Sequence, residues 1–348
     1  MPRADLALVG FGHVGRRFAQ LLDERRERLL HDYQLDVRVV GIATAGHGSL
    51  FDEAGIDAGD AAAQRAAGRT LGTCRPPLEI IGKLARSAAM LRVMVETTTL
   101  GAADGQPAIG HVEAALDGGC HTITANKGPA AFAYRKLNDK ASRTGCAFLF
   151  EGAVMDGIPI FNLVRDAMPA VTVSGFRGIL NTTTQHILAA LERGESFDDA
   201  LARMQAEGIA EADPSLDIEG WDAAAKAAAL ANVLMDGDVT PHLVERDALG
   251  ESTAAAVNAA AAAGRRLRLV ASAAGRGRNV RAVVRLTEIE RDDILFNLPD
   301  TANALVLTTD LLGDVAVCQL AGNVTQTAYA LLSDLVTVVR RHAAEARA

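Results

Sequence analysis

Asp222 and Lys226 stand in the run Asp222-Ala-Ala-Ala-Lys226-Ala-Ala-Ala-Leu230, a spacing that sets both on one helix face, one turn apart. Just before them, Glu211-Ala-Asp213-Pro214-Ser215-Leu-Asp217 gathers further acids around a proline-broken turn that opens the helix. Taken alone, the pair reads most simply as an exposed helical ion pair, worth about 0.3–0.5 kcal/mol. Its neighbours argue for more. Alanines flank the lysine on both sides, so no bulky polar group of its own helix screens it. Facing a cleft, such a lysine is partly desolvated while Asp222 holds its charge, an arrangement suited to giving a proton to a carbonyl oxygen.

A second chemistry is written at the other end. The apolar run Leu6-Ala-Leu-Val9 reads as a buried parallel strand. It leads into Gly10-Phe11-Gly12-His13-Val14-Gly15 and a helical segment from Arg16 to Leu30. This is the G-x-G-x-x-G turn in its strand-before, helix-after context. Gly10 permits the tight turn, Gly12 lets a pyrophosphate approach the backbone, and Gly15 lets helix and strand pack closely. The free N–H groups at the helix start then meet the phosphate charge. A second strand, Val37–Ala43, follows and ends at Thr44-Ala-Gly-His47-Gly-Ser49. No acid stands there to hold the ribose hydroxyls of NAD, and no Arg to take the extra phosphate of NADP. The hydroxyls of Thr44 and Ser49, with His47, are expected to accept that phosphate, which leans the reading slightly to NADP.

Around these motifs strands and helices alternate. Leu91–Glu96 is a strand ending at Thr97-Thr98-Thr99, Pro107–Gly118 a helix, and His121–Thr124 and Ala147–Phe150 further strands. Open α/β sheets bind ligands at the C-terminal ends of such strands. Lys127 lies at one of them, in Ala125-Asn126-Lys127-Gly128-Pro129, where its fixed backbone favours a functional role over a solvated loop lysine. The character then changes. Val171–Leu180 alternates as a strand with one exposed face and meets the polar cluster Asn181-Thr182-Thr183-Thr184, which also reads as an ordinary helix cap. Ser196-Phe-Asp-Asp199 is a capping box. Arg265–Ser272 and Asn279–Ile289 read as paired strands. The fold expected is α/β: a Rossmann-type parallel sheet over residues 1–150, with 305–348 packing back on it, and a mixed α+β catalytic and dimerisation domain over 151–304.

A chain of 348 residues with 49% hydrophobic content can bury two such cores. No apolar run approaches the ~20 residues of a membrane span, and no signal segment precedes the first strand. The four cysteines make no C-x-x-C pair, as expected of reduced thiols in the cytoplasm. A net charge of −8 without a basic stripe argues against nucleic acid.

Together these stretches resemble the homoserine dehydrogenase family. The matching motifs are Gly10–Gly15, Thr124-Ala-Asn-Lys127-Gly-Pro129, Gly157-Ile-Pro-Ile160, Arg177-Gly-Ile-Leu-Asn181, Ala210–Ser215 through Asp222 and Lys226, Thr301-Ala-Asn303, Thr309-Asp310, and Thr327 to Asp334. They span nearly the whole chain, and the stretch from Glu211 to Lys226 is the most specific. The resemblance implies the short form, without a C-terminal regulatory domain, acting as a homodimer that reduces aspartate 4-semialdehyde to homoserine with NAD(P)H. By position, Lys226 would be the proton donor and Asp222 its partner, with Lys127 near both cofactor and substrate. Glu211 would hold the substrate amino group, with Asp217, Asn181 and Thr183 nearby. Thr98 would touch the nicotinamide side, and Thr44 and Gly322 would join the fingerprint around the cofactor. A sodium-like cation would sit at the turn of Glu151, Val154, Asp156 and Ile158, largely on backbone oxygens.

The chain departs from the family in three places. Thr182 stands where glycine is usual, which puts a Cβ into a loop expected to need glycine's freedom. Asp156 adds a carboxylate beside the cation. The Gly-rich segment before the last helix is reduced to Leu320-Ala-Gly322-Asn323. Two other readings stay open: a dehydrogenase of another small amino or hydroxy acid, and a dinucleotide-binding homologue without catalysis. A sensor has no need of a proton donor. A cysteine-dependent aldehyde dehydrogenase is weaker still, since no cysteine sits where its thiol pKa would fall.

Overall fold

The apolar run Leu6–Val9 lies at the middle of a sheet, every one of its side chains fully buried, as parallel strands covered on both faces require. The computed structural model describes residues 3–206 and 213–345. The chain divides into two compact units, Met1–Pro159 with Asn323–Ala348, and Ile160–Gly322.

In chain order the first unit holds β1 (Arg3–Val9), α1 (His13–Glu24), α2 (Arg26–Tyr33), β2 (Asp36–Ala43), β3 (Ser49–Phe51), α3 (Ala58–Ala66), α4 (Pro77–Leu84), β4 (Leu91–Glu96), α5 (Ala108–Asp117), β5 (His121–Thr124), α6 (Gly128–Thr144) and β6 (Phe148–Leu149). Its six-stranded sheet runs β3-β2-β1-β4-β5-β6. All pairs are parallel except β3, which lies antiparallel to β2. The strand order turns back between β1 and β4, the switch point where open sheets of this kind bind ligands. The helix expected from Arg16 to Leu30 is two helices, because Arg25 leaves helical geometry at φ −110° and ψ 7°.

The second unit holds α7 (Ile160–Asn162), which runs on as a π-helical turn to Ala167, then β7 (Val173–Ile179), α8 (Thr182–Glu192), α9 (Phe197–Ala206), α10 (Ser215–Ile218), α11 (Trp221–Leu234), β8 (Glu245–Arg246), α12 (Thr253–Ala262), β9 (Arg266–Ala274), β10 (Arg281–Ile289), β11 (Asn303–Thr309) and β12 (Gly313–Gln319). Its sheet runs β12-β11-β7-β9-β10-β8, antiparallel but for β8 on β10. Helices α8, α11 and α12 pack on β9 and β10. Ser196 caps α9 as its box predicts: its Oγ accepts the Asp199 N–H at 3.2 Å and donates to Asp199 Oδ2 at 2.7 Å.

The boundaries differ from those expected at 150 and 305. Ala304–Thr309 pairs with β7 and β12 pairs with β11, so this hairpin completes the second sheet. Only the segment from Asn323 belongs to the first unit. There α13 (Val324–Glu345) packs along α1, burying Leu331, Leu335 and Val338 on one helical stripe. Among the described residues no helix is long and apolar enough to cross a membrane.

Candidate active site

In the second unit α11 begins after Gly220, whose φ of +77° and tight approach to Asp247 O suit glycine alone. The alanines on either side of Lys226 are buried, and their small side chains let the helix lie close on β9 and β10. The side chains of Asp222 and Lys226 are accordingly only 15% and 13% exposed, with Nζ 2.9 Å from Oδ2. An exposed surface pair is excluded by that burial. Lys226 Nζ also donates to Leu180 O at 2.5 Å.

Asn181 ties the pair to the rest. It caps α8 by accepting the Thr184 N–H at 2.9 Å, while its Nδ2 donates to Asp217 Oδ1 at 2.7 Å and Asp222 Oδ2 at 2.9 Å. Asn181 and Thr183 are both buried. Asp217 feels the crowding. Burial, and then repulsion from Asp222, push its carboxyl above the usual range, against the hydrogen bonds of Asn181 and Thr183 and the charge of Lys226. Asn181, Thr183, Asp217, Asp222 and Lys226 thus form one hydrogen-bonded cluster. Glu211, expected beside them, lies outside the described residues. Thr182 needs no glycine freedom: it is the first residue of α8, it has no positive φ, and its hydroxyl accepts from Asn303 Nδ2 at 3.2 Å.

In the first unit the fingerprint turn sits at the switch point. Gly10 has φ +88°, and a Cβ on it would stand 2.5 Å from the Thr97 carbonyl carbon. A Cβ on Gly12 would meet nothing within 4 Å, the open space a pyrophosphate needs. No side chain caps α1 and no acid stands in its first turn, so its leading N–H groups suit an anion. Phe11 is buried and Val14 half-buried, while His13 is exposed with its Nδ1 3.4 Å from Arg16. These features fit a dinucleotide. Lys127, half-buried, precedes α6, and Asn126 beside it donates to Thr98 O at 2.9 Å. Gly322 is exposed, in the loop before α13, and is the last residue of the second unit.

The end of β2 differs from expectation. Thr44 Oγ1 donates to Gly48 O at 2.7 Å and accepts the His47 N–H at 2.8 Å; Ser49 Oγ donates to Arg75 O at 3.0 Å. Both side chains are buried and committed to the turn, because Ser49 begins β3 rather than a phosphate loop. His47 stays exposed. The segment Leu71–Arg75 runs alongside, with Leu71 N–H donating to His47 O at 2.6 Å, and it brings the exposed Arg75, ion-paired to Glu79 at 2.7 Å, to this corner. No local pattern around residue 75 announces that neighbour.

At the expected cation turn, Glu151 and Val154 are buried and Ile158 half-buried. The Glu151 N–H donates to Asp334 Oδ2 at 2.9 Å. Asp156 adopts φ +47°, and its Oδ1 accepts from Thr327 at 3.0 Å. Among the described residues no three His, Cys, Asp or Glu side chains converge on a metal position. All four cysteines are free, and burial pushes the Cys120 thiol up to about 11, away from the reactive thiolate.

Comparison with known proteins matches both halves. Residues 159–336 fit the family model for homoserine dehydrogenase, and residues 10–151 the model for the homoserine dehydrogenase NAD binding domain. Over 340 residues the chain is 32% identical to an NAD(+)-dependent homoserine dehydrogenase of Pseudomonas canavaninivorans, covering 97% of each chain. It is 32% identical over 336 residues to a homoserine dehydrogenase of Methanocaldococcus jannaschii, covering 96% of this chain and 98% of that one. The solved homoserine dehydrogenase of Thiobacillus denitrificans matches with a TM-score of 0.82 at 28% identity, over 99% of this chain and 75% of that one. With relatives at this identity spanning nearly its whole length, the chain belongs to the homoserine dehydrogenase family, oxidoreductases that act on a CH–OH group.

Proposed function

We propose that this protein interconverts L-homoserine and L-aspartate 4-semialdehyde, with Lys226 giving the proton to the substrate oxygen in reduction and taking it back in oxidation. The observation that carries the reading is the buried Asp222–Lys226 pair, held by Asn181. The bound nicotinamide dinucleotide supplies or accepts the hydride. As the hydride's pair forms the new C–H bond, the C=O π pair moves to oxygen, and an ammonium in hydrogen-bond reach stabilises and then neutralises the charge. Asp222 and the Leu180 carbonyl hold two of the three Lys226 N–H bonds among the described residues, which leaves one for the substrate oxygen. Lys127 is proposed at the junction of cofactor and substrate, and Asn181, Thr183, Asp217 and Glu211 at the polar end of the substrate.

The test is NAD(P)H absorbance with L-homoserine, run with each cofactor. Turnover supports the reading; nucleotide binding without turnover on homoserine would instead favour a silent homologue or another substrate. The expected lean to NADP loses the Thr44 and Ser49 hydroxyls and rests on Arg75, so we propose weak discrimination between the two cofactors. A monovalent cation at the Glu151–Ile158 turn is proposed on the buried Glu151 carboxylate, and dependence of turnover on sodium or potassium over a large organic cation tests it. We further propose a cytoplasmic homodimer. Exposed Leu311 and Leu312 in the β11–β12 turn, with exposed Leu320 past the other end of β12, give it apolar surface to bury, and light scattering at twice the 36.4 kDa chain mass is the expected result.

A further inference from the structure

Glu96 closes β4 with 0% exposure, a carboxylate buried at the switch-point edge of the first sheet. Burying such a charge is costly unless hydrogen bonds hold it. Here they do. Its Oε1 accepts the Thr98 N–H at 3.0 Å and the Thr98 hydroxyl, and its Oε2 accepts the Thr124 hydroxyl at 2.9 Å. Thr124 Oγ1 in turn accepts the Asn126 N–H at 2.9 Å. Asn126 Nδ2 donates back to Thr98 O at 2.9 Å and Thr99 O at 3.2 Å, and its Oδ1 accepts the Gly128 N–H at 2.8 Å. The bonds form a closed ring, Glu96–Thr98–Asn126–Thr124, across the ends of β4 and β5. The fingerprint joins it through Thr97, whose hydroxyl donates to Gly10 O at 2.7 Å. His111 Nδ1 stands 3.7 Å from Glu96 Oε1, beyond hydrogen-bond range.

We propose that Glu96 is a positioning residue of the dinucleotide-binding edge: through Thr98 and Thr124 it fixes the loops Thr97–Thr99 and Ala125–Gly128, the second of which carries Lys127. Glu96 Oε1 accepts from the Thr98 N–H and hydroxyl and Oε2 accepts from the Thr124 hydroxyl, so the ring needs an acceptor at both Glu96 oxygens. An amide at position 96 can accept at only one of them. The inference rests on the proposed function only for its kinetic arm. The binding arm stands without turnover.

The experiment uses the full chain and titrates NADH and NADPH separately, reading nucleotide fluorescence, with melting temperature measured in parallel. Thr124→Val removes one ring hydroxyl at near-constant shape, Glu96→Gln removes the second acceptor, and Thr124→Ser restores the hydroxyl. The expected result is a roughly tenfold weaker dissociation constant in Thr124→Val and Glu96→Gln, about 1.4 kcal/mol, with Thr124→Ser close to wild type. With homoserine as substrate, kcat falls in the same two variants while KM for homoserine holds. If Glu96→Gln fails to fold, the Thr124 pair decides alone. Unchanged nucleotide affinity in Thr124→Val, or equal loss in Thr124→Ser, would overturn the proposal and leave the ring a purely structural brace. A wild type that binds nucleotide yet does not turn over homoserine would count against the proposed function and not against the ring.

Discussion

Asn181 Nδ2 donates to Asp222 Oδ2 across 2.9 Å, and the same oxygen faces the Lys226 ammonium at 2.9 Å. The start of α8 and the first turns of α11 are thereby tied together at the lysine, and the carboxylate that orients it is itself oriented. A loose surface pair would spend much of its time in other rotamers. This one has a single geometry to offer a substrate oxygen.

Asp217 supplies a pH signature. Its carboxyl is raised above the ordinary 3.8 by burial first and by Asp222 second. A raised folded-state value means the native chain holds this proton longer than the unfolded chain, so its contribution to stability is lost as pH climbs from the ordinary value through the raised one. Asp217→Asn removes that cost. Melting scans should place the variant above wild type at neutral pH, with the gap narrowing as pH falls through the raised value toward 3.8 and closed below it. A gap that widens on acidification would contradict the assignment.

The fingerprint glycines should separate fold from binding. Gly12→Ala adds a Cβ into open space, so its melting temperature should stay near wild type while affinity for dinucleotide drops at least tenfold. Gly10→Ala drives a Cβ into the Thr97–Thr98 backbone at a φ of +88° and should lose stability as well, on the order of 1–3 kcal/mol. Equal melting temperatures for the two variants would count against the turn geometry.

Arg75 is the candidate for whatever NADP preference exists. Arg75→Ala should lower kcat/KM with NADP and leave NAD within twofold, since only the former carries a 2′-phosphate for a guanidinium to hold. If wild type favours NAD by ~100-fold or more, about 2.7 kcal/mol, an acid from elsewhere reaches the ribose and the weak-discrimination proposal fails.

What could be read from sequence follows the range of each interaction. The Asp222–Lys226 pair and the Gly10–Gly15 turn are local, and both stand where their spacing put them. Asn181 reaches Asp222 across 41 positions, which no periodicity reveals. Ser49 reads as a phosphate contact because a three-residue strand, β3, leaves almost no alternation to recognise. Residues 305–319 are expected with the first domain, but no local pattern says which sheet they join, and pairing with β7 decides it. An acid closing the strand Leu91–Glu96 just after the apolar Val93–Val95 is a signal at hand, since a carboxylate in a buried strand must be satisfied somewhere.

If Lys226 moves the proton, its loss must show in the kinetics of Lys226→Ala. Asp222 keeps its Asn181 bond in the variant, and the fingerprint belongs to the other unit, so nucleotide affinity should hold. Measured by NAD(P)H absorbance at saturating homoserine, kcat should fall ~10²-fold or more, with Asp222→Asn also slowed. Near-normal kcat in a folded, nucleotide-binding Lys226→Ala would contradict the account and make Lys127 the leading candidate for the acid.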